Sequence, residues 1–352
     1  MKNNKIVIVL AVLVVVLAVV LAVVLLGGGS KEQEYKLGMG ASFGTSKATE
    51  VSATIATVVT DKDGKIVSCR LDVAQNQFKV VADGDAFKVD FTRLVTKNEI
   101  AYGYVMSAYG TPNHTNTFVM EWFEQARLFE EYVVGMTADE VKALTLKEAA
   151  GHKVSADDAL LDAGCTIDLQ NFIEAIVKAC NDTQGTTFVS DGNFKLGLGV
   201  NSGNNYTAPS SATNEKNYIV SMDVNFAATV VVNGKIVATI NDAYQPYLVV
   251  KNGEVAKDTC GTFAEEEANK APMTKRELQK TYGMEDAGID KGGSAGSLEW
   301  YKQSEIYSNH VTGLAGSQVN GLEHGEDLMN AGCTITISGI NAVVAEAAYN
   351  AR

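Results

Sequence analysis

The chain repeats itself, and each copy closes on the same short phrase. Asp162-Ala163-Gly164-Cys165-Thr166-Ile167 returns as Asn330-Ala331-Gly332-Cys333-Thr334-Ile335. The only two tryptophans also fall at matching places, in Glu121-Trp122-Phe123-Glu124-Gln125 and Glu299-Trp300-Tyr301-Lys302-Gln303. An internal repeat restricts the architecture more than any local pattern does, because one unit must then serve twice. The expected fold class is α+β, as two tandem copies of one β-hairpin-plus-helices unit behind an N-terminal transmembrane helix.

The order of segments follows from composition. Residues 1–5 read as a cytoplasmic tip, because Lys2 and Lys5 favour that side of a membrane. An unbroken apolar run from Ile6 to Leu26 carries no charge and no proline, and about 20 helical residues cross a bilayer core. Residues 6–26 are therefore a transmembrane anchor or a cleaved signal, with Gly27, Gly28 and Gly29 as a small-residue cleavage site in the second case. The body belongs outside the cytoplasm, single-pass if the anchor is retained and secreted if it is cleaved. No cysteine follows the run, which excludes a lipid-anchored cysteine. Residues 27–34 are a linker, 35–182 the first unit, 183–193 a second linker and 194–352 the second unit.

Each unit begins with strands. Tyr35-Lys36-Leu37-Gly38-Met39-Gly40 opens the first and Phe194-Lys195-Leu196-Gly197-Leu198-Gly199 the second. Val51 to Thr60 has the Val, Ile and Thr density of a strand. Asp63-Gly64-Lys65-Ile66-Val67 and Asn233-Gly234-Lys235-Ile236-Val237 are matching hairpins, since Asp-Gly and Asn-Gly tolerate positive φ. Further strands are expected at Phe87 to Phe91 and Tyr247 to Val250.

The later part of each unit is helical. Thr96 to Leu144 aligns with Thr274 to Leu322 without a gap. Thr96 with Glu99, and Thr274 with Glu277, have capping-box spacing. Trp122, Ala126, Phe129 and Val133 lie at helical spacing, as do Trp300, Ser304, Tyr307 and Val311, and the tryptophans read as core. Gly135 and Gly313 are natural stops. Phe172, Ile173, Ile176 and Val177 give the last helix of the first unit an apolar face; Ile340, Val343 and Val344 do so for the second. Asp168 and Thr336 are the expected N-caps. The repeated phrase is then the loop before a helix N-terminus, where free N–H groups and the dipole favour an anion such as a phosphate.

Other chemistries find little support. Net charge is −13, and no Lys/Arg cluster offsets it, so nucleic acid is not an expected partner. Five cysteines in a chain of this length do not make a disulfide framework; Cys165 and Cys333 read as small buried residues. His114, His152, His310 and His324 lack metal-ligand spacing, and His114 and His324 read as solvated. Glu130-Glu131 and Glu265-Glu266-Glu267 read as helix surface. Gly38, Gly40, Gly197 and Gly199 read as strand glycines rather than a phosphate cradle.

Ala163-Gly164-Cys165-Thr166 and Ala331-Gly332-Cys333-Thr334, each followed by a helix, resemble the Ser-Gly-Ala-Thr stretch of the extracytoplasmic FMN-binding domains. Asp63-Gly64-Lys65-Ile66-Val67 is similar to that family's Asp-Gly-Lys-Ile hairpin. The resemblance implies FMN joined covalently to Thr166 and Thr334 by a separate flavin transferase. Gly164 and Gly332 would admit the phosphate, with Cys165 and Cys333 beside it. It also implies an electron-transfer carrier with a redox partner rather than an enzyme with its own substrate. Ala stands for the family's Ser and Cys for its Ala in both copies, its Glu-Thr-Pro-Gly region has no match, and the Trp-centred helices are an addition. The alternative is a cell-surface interaction or structural module without cofactor, in which each threonine only opens a helix.

Overall fold

The computed structural model describes residues 32–43, 50–83, 86–106, 120–149, 151–209, 217–251, 254–259, 273–287 and 298–352. The apolar run 6–26, His114 and Glu265-Glu266-Glu267 lie outside them. Among the described residues no helix is long and apolar enough to cross a membrane. The fold is α+β with antiparallel sheets.

The first half begins with β1 (Gln33–Phe43), β2 (Glu50–Thr60), β3 (Ile66–Asp83) and β4 (Ala86–Arg93). Helices α1 (Lys97–Ile100), α2 (Trp122–Tyr132) and α3 (Ala138–Lys142) follow. A small hairpin, β5 (Leu146–Ala149) with β6 (His152–Ser155), precedes α4 (Asp158–Ala163) and α5 (Gln170–Cys180). β7 (Thr186–Ser190) then returns to pair with β1, so the expected linker 183–193 contains a strand. The order β4-β3-β2-β1-β7 makes one sheet.

The second half also runs from strands to helices, without a counterpart of the β5–β6 hairpin. β8 (Lys195–Pro209), β9 (Asn217–Val232), β10 (Lys235–Tyr244), β11 (Tyr247–Lys251) and β12 (Glu254–Thr259) form its sheet. Strand β9 pairs with β8 on one edge and with β10 and β11 on the other. Helices α6 (Lys275–Leu278), α7 (Met284–Ala287), α8 (Trp300–Val311), α9 (Gly316–Asn320), α10 (Glu326–Asn330) and α11 (Ser338–Asn350) complete it. The expected hairpins form: Gly64 and Gly234 both take φ +76, and Asn233 takes φ +49. The expected capping boxes form at Thr96 and Thr274.

The two sheets stack face to face, with helices on the outer face of each. Leu37, Ile55, Leu196, Phe226 and Tyr244 belong to one apolar core between the sheets. Trp122, Phe129, Cys165, Phe172 and Ile176 fill the layer between the first sheet and its helices. Trp300, Tyr307, Cys333, Ile340 and Val344 do so in the second half. The tryptophans are core residues, 2% and 4% exposed. Each also carries a lysine over its ring, Lys97 at 5.1 Å and Lys275 at 5.3 Å.

Strand glycines let the closing helices lie directly on the sheets. A Cβ at Gly38 would stand 2.0 Å from the Ala179 carbonyl oxygen, and one at Gly197 would stand 1.7 Å from that of Ala347. Gly40 and Gly199 meet the same helices one turn earlier. These four positions therefore serve helix–sheet packing and not a phosphate.

One expectation about charge is overturned here. Glu130, expected at the surface, is 4% exposed. It accepts a hydrogen bond from the Leu71 N–H at 2.8 Å and faces Arg70 and Arg352.

Candidate functional site

The repeated phrase connects two helices in each half. Gly164 is the C-cap of α4 with φ +111, and Gly332 follows α10 with φ +100, a region open to glycine and strained for other residues. The space a side chain would take is filled from within the chain. A Cβ at Gly164 would lie 2.7 Å from Met120 Sδ, and one at Gly332 would lie 3.0 Å from Leu298 Cδ1. The glycines thus turn the chain and admit a neighbouring side chain.

Cys165 and Cys333 point into the two helix–sheet cores and are fully buried. Burial pushes their thiols up to about 12 and about 11, so neither is a thiolate at neutral pH. Both are free, as are Cys69 and Cys180.

The threonines are held by glutamines that the repeated tryptophan phrase carries. Gln125 and Gln303 are fully buried. Gln125 Oε1 accepts from the Thr166 N–H at 2.8 Å and from its hydroxyl at 3.2 Å. Gln303 Oε1 accepts from the Thr334 N–H at 2.6 Å, from its hydroxyl at 3.2 Å and from the Ile335 N–H at 3.1 Å. The amide ends of both glutamines donate back to the chain just before the tryptophan helix, at the Met120 and Leu298 carbonyls. The phrases Glu-Trp-x-x-Gln and Ala-Gly-Cys-Thr are therefore two sides of one bridge. Sequence reading weighted the tryptophan and passed over the glutamine, although its recurrence at a fixed distance was the available signal.

The glycine and cysteine N–H groups of the repeated phrase are already paired. Gly164 and Cys165 donate to the Leu161 and Leu160 carbonyls, and Gly332 and Cys333 to those of Met329 and Leu328. The N-caps also differ from expectation. They are Leu169 and Ile337, one residue later than Asp168 and Thr336. Asp168 still serves the first helix: its Oδ1 accepts from the Gln170 N–H at 3.0 Å and its Oδ2 from the Lys153 N–H at 3.0 Å. A carboxylate thus already fills the anion position at α5. Thr336 brings no charge to the start of α11.

The two loops differ in access. Thr166 is half-buried and Thr334 is exposed. His324, expected to be solvated, places Nε2 2.7 Å from the Cys333 carbonyl oxygen and ties down the second loop.

Two cavities lie elsewhere, at the seam between the halves. One of about 360 Å³ is lined by Met39, Lys178, Asp182, Asp242, Arg276 and Glu277, among others. Its neighbour of about 300 Å³ is lined by Gln184, Tyr301, Ser304 and Glu305, among others. Neither reaches Thr166 or Thr334. Arg276 closes this seam by bonding Asp182 at 3.2 Å and the Gln184 carbonyl at 2.6 Å.

Sequence reading also missed a buried carboxylate in each half. Asp72 and Asp242 stand at the same distance beyond the two hairpins. Asp72 Oδ1 accepts from the N–H groups of Val73 at 2.7 Å and Asn98 at 3.1 Å. Asp242 Oδ1 accepts from Ala243 at 2.7 Å and Arg276 at 3.0 Å. Burial pushes these carboxyls up to about 6 and about 7. Asp72 ties α1 to β3, and Asp242 ties α6 to β10. Among the described residues no group of three or more His, Cys, Asp or Glu could hold a metal ion.

No family model, curated protein or solved structure matches the chain.

Proposed function

We propose that this chain is a tandem duplication tethered to a membrane by residues 6–26, and that its extracytoplasmic body is an interaction or structural module working without a cofactor. The observation that carries this reading is the glutamine bridge. It gives the recurrence of the threonine, its N–H and its hydroxyl a folding reason in both halves. Glycine and cysteine in the same phrase have folding reasons too, as a helix stop and a core side chain. The flavin-domain resemblance then reflects a shared frame of hairpin, loop and closing helix.

One observation favours the flavin-carrier reading for the second loop alone. Thr334 is exposed, and its loss of a hydroxyl proton would leave Gln303 with two backbone donors. The start of α11 lacks the carboxylate that occupies α5. FMN joined through Thr334 would make the chain a one-flavin electron carrier with a redox partner.

One experiment separates the readings. The full chain is co-expressed with an active flavin transferase and ample flavin, and its intact mass is measured. An unmodified mass is the expected result. A single FMN adduct, lost in Thr334→Ala and kept in Thr166→Ala, would replace the module with the carrier. Protease added to intact cells tests the tether, and a fully protected body would reject it.

A further inference from the structure

The sandwich has two lateral seams. At the first, β10 lies against β1 and β7; at the second, β8 lies against β3. Aligned positions fill the two seams differently.

At the second seam three long charged side chains occupy the space beside α2. Glu130 takes the Leu71 N–H at 2.8 Å, stands 3.8 Å from Arg70 and is bonded by Arg352. Arg70 donates to the Leu196 carbonyl at 3.0 Å and to the carbonyl of Arg352. Arg127 covers the Phe123 ring at 5.0 Å.

At the first seam each member of this cluster has a shorter, uncharged counterpart. Ser308 on α8 stands in the place of Glu130 in the gapless alignment. Ile240 stands where Arg70 does beyond the matched hairpins, and Gln184 where Arg352 does beyond the repeated phrase. The contacts follow the same plan: Glu130 is bonded to Leu71 on β3, and Ser308 to the aligned Asn241 on β10 at 3.0 Å. The space that Arg70, Glu130 and Arg352 fill at one seam thus corresponds to the cavity of about 300 Å³ at the other. Its neighbour of about 360 Å³ shares Thr183, Gln184 and Arg276 with it. Both are of a size that small-molecule sites have.

The lining keeps hydrogen-bonding groups and has no unpaired cation. Arg276 is held by Asp182 at 3.2 Å and the Gln184 carbonyl at 2.6 Å. Lys178 is held by Glu277 at 3.1 Å and the Ala41 carbonyl at 2.9 Å. An entering anion would therefore meet exposed Glu305 with nothing to balance it. An entering cation would find Ser308 where the second seam has its deep carboxylate. The groups left over are mostly neutral. Buried Ser308 accepts from Asn241 but donates its hydroxyl proton to no described residue. The Tyr301 hydroxyl and the Asn309 amide make no hydrogen bond among the described residues, and Glu305 is unpartnered there too. Tyr301 aligns with Phe123 and Glu305 with Arg127, so the tyrosine ring lacks the guanidinium cover of its counterpart.

We propose that this cavity is a saccharide site that takes an uncharged sugar unit. Hydroxyl and amide side chains both donate and accept, which matches a ligand whose hydroxyls do the same. Ser308, Asn309 and Glu305 receive those hydroxyls, and the apolar face of the sugar ring lies on Tyr301. The inference rests on the reading of the body as an interaction module, and it gives that module its class of partner, a neutral polysaccharide.

The full chain, purified in a detergent without a sugar head group, is titrated with neutral oligosaccharides of glucose, mannose, galactose and N-acetylglucosamine. Oligomers of the corresponding uronic acids are the charged controls, and saturation-transfer NMR reads binding. At least one neutral oligosaccharide should bind, and more tightly than any uronic-acid oligomer. Tyr301→Ala should weaken it about tenfold, the scale of one aromatic contact, with an unchanged thermal melt. Ile240→Arg combined with Ser308→Glu restores the charged filling of the second seam and should abolish binding. If that buried pair prevents folding, Asn309→Ala at the exposed rim serves in its place and should weaken binding. No transfer to any neutral oligosaccharide, binding unchanged in Tyr301→Ala, or uronic-acid oligomers bound as tightly would overturn the proposal. Intact mass on the same preparation separates the two failures: an unmodified chain that binds no sugar keeps the module reading, and an FMN adduct removes it.

Discussion

The closing loops of the two halves have the same backbone plan and different surroundings. In the first, Gln125 takes two donors, Asp168 fills the start of the next helix, and Thr166 is half-buried. In the second, Gln303 takes three donors, His324 adds a bond to Cys333, and Thr334 is exposed. What both loops retain is what the chain needs in order to turn: a glycine at positive φ, a buried cysteine, and a threonine tied to a buried glutamine. What differs lies at the surface and the seams. Recurrence of a phrase within one chain therefore points first to folding, and the departures from it are where function is to be sought.

The largest contrast is expected at the seams. Arg276→Ala leaves Asp182 buried without its guanidinium, and breaking such a pair costs about 3–5 kcal/mol. The matching change, Asn98→Ala, removes one neutral hydrogen bond to the Leu71 carbonyl and should cost only about 1 kcal/mol. Urea unfolding of both variants measures the difference. Equal losses would mean that the seams are equivalent after all.

The strand glycines should behave alike in both halves. Gly38→Ala and Gly197→Ala each drive a methyl group into a helix carbonyl, and overpacking of this kind costs about 1–3 kcal/mol or more. Thermal melts should place the two variants close together. A large loss in only one would show that its closing helix can slide while the other cannot.

Much of this frame was legible in the sequence because it rests on short-range rules. Hairpins at Asp63-Gly64 and Asn233-Gly234, capping boxes at Thr96 and Thr274, and the apolar stripes of α2 and α8 depend on spacing alone. The stacking of the two sheets was not legible, because β1 and β8 bury both faces and do not reveal which layer each face meets. Glu130 looked like surface since its partners, Arg70 and Arg352, come from distant parts of the chain. The same limit hid the glutamine bridge, which joins residues 41 positions apart in the first half and 31 in the second.

Removing the bridge should expose the difference between the loops. Gln125→Ala strands the half-buried Thr166 N–H, whereas Gln303→Ala strands that of Thr334 and the buried one of Ile335. An unsatisfied buried donor costs about 1–3 kcal/mol, so the second variant should be the less stable of the two. Urea midpoints give the ranking. The reverse order would indicate that His324 or solvent takes over the freed groups.

The smallest contrast concerns the hydroxyls themselves. Thr166→Val and Thr334→Val keep the branched shape and the backbone N–H, and each removes one hydrogen bond to a glutamine. At half-buried Thr166 the loss should be about 1 kcal/mol, near the net worth of an ordinary hydrogen bond. At exposed Thr334 water replaces the partner, and surface changes of this kind stay within about 0.5 kcal/mol. Urea unfolding resolves a difference of this size when the two variants are measured side by side. A stability cost at Thr334 as large as at Thr166 would make its hydroxyl a folding element. A negligible cost would leave that hydroxyl without a folding role, in contrast to the one on half-buried Thr166.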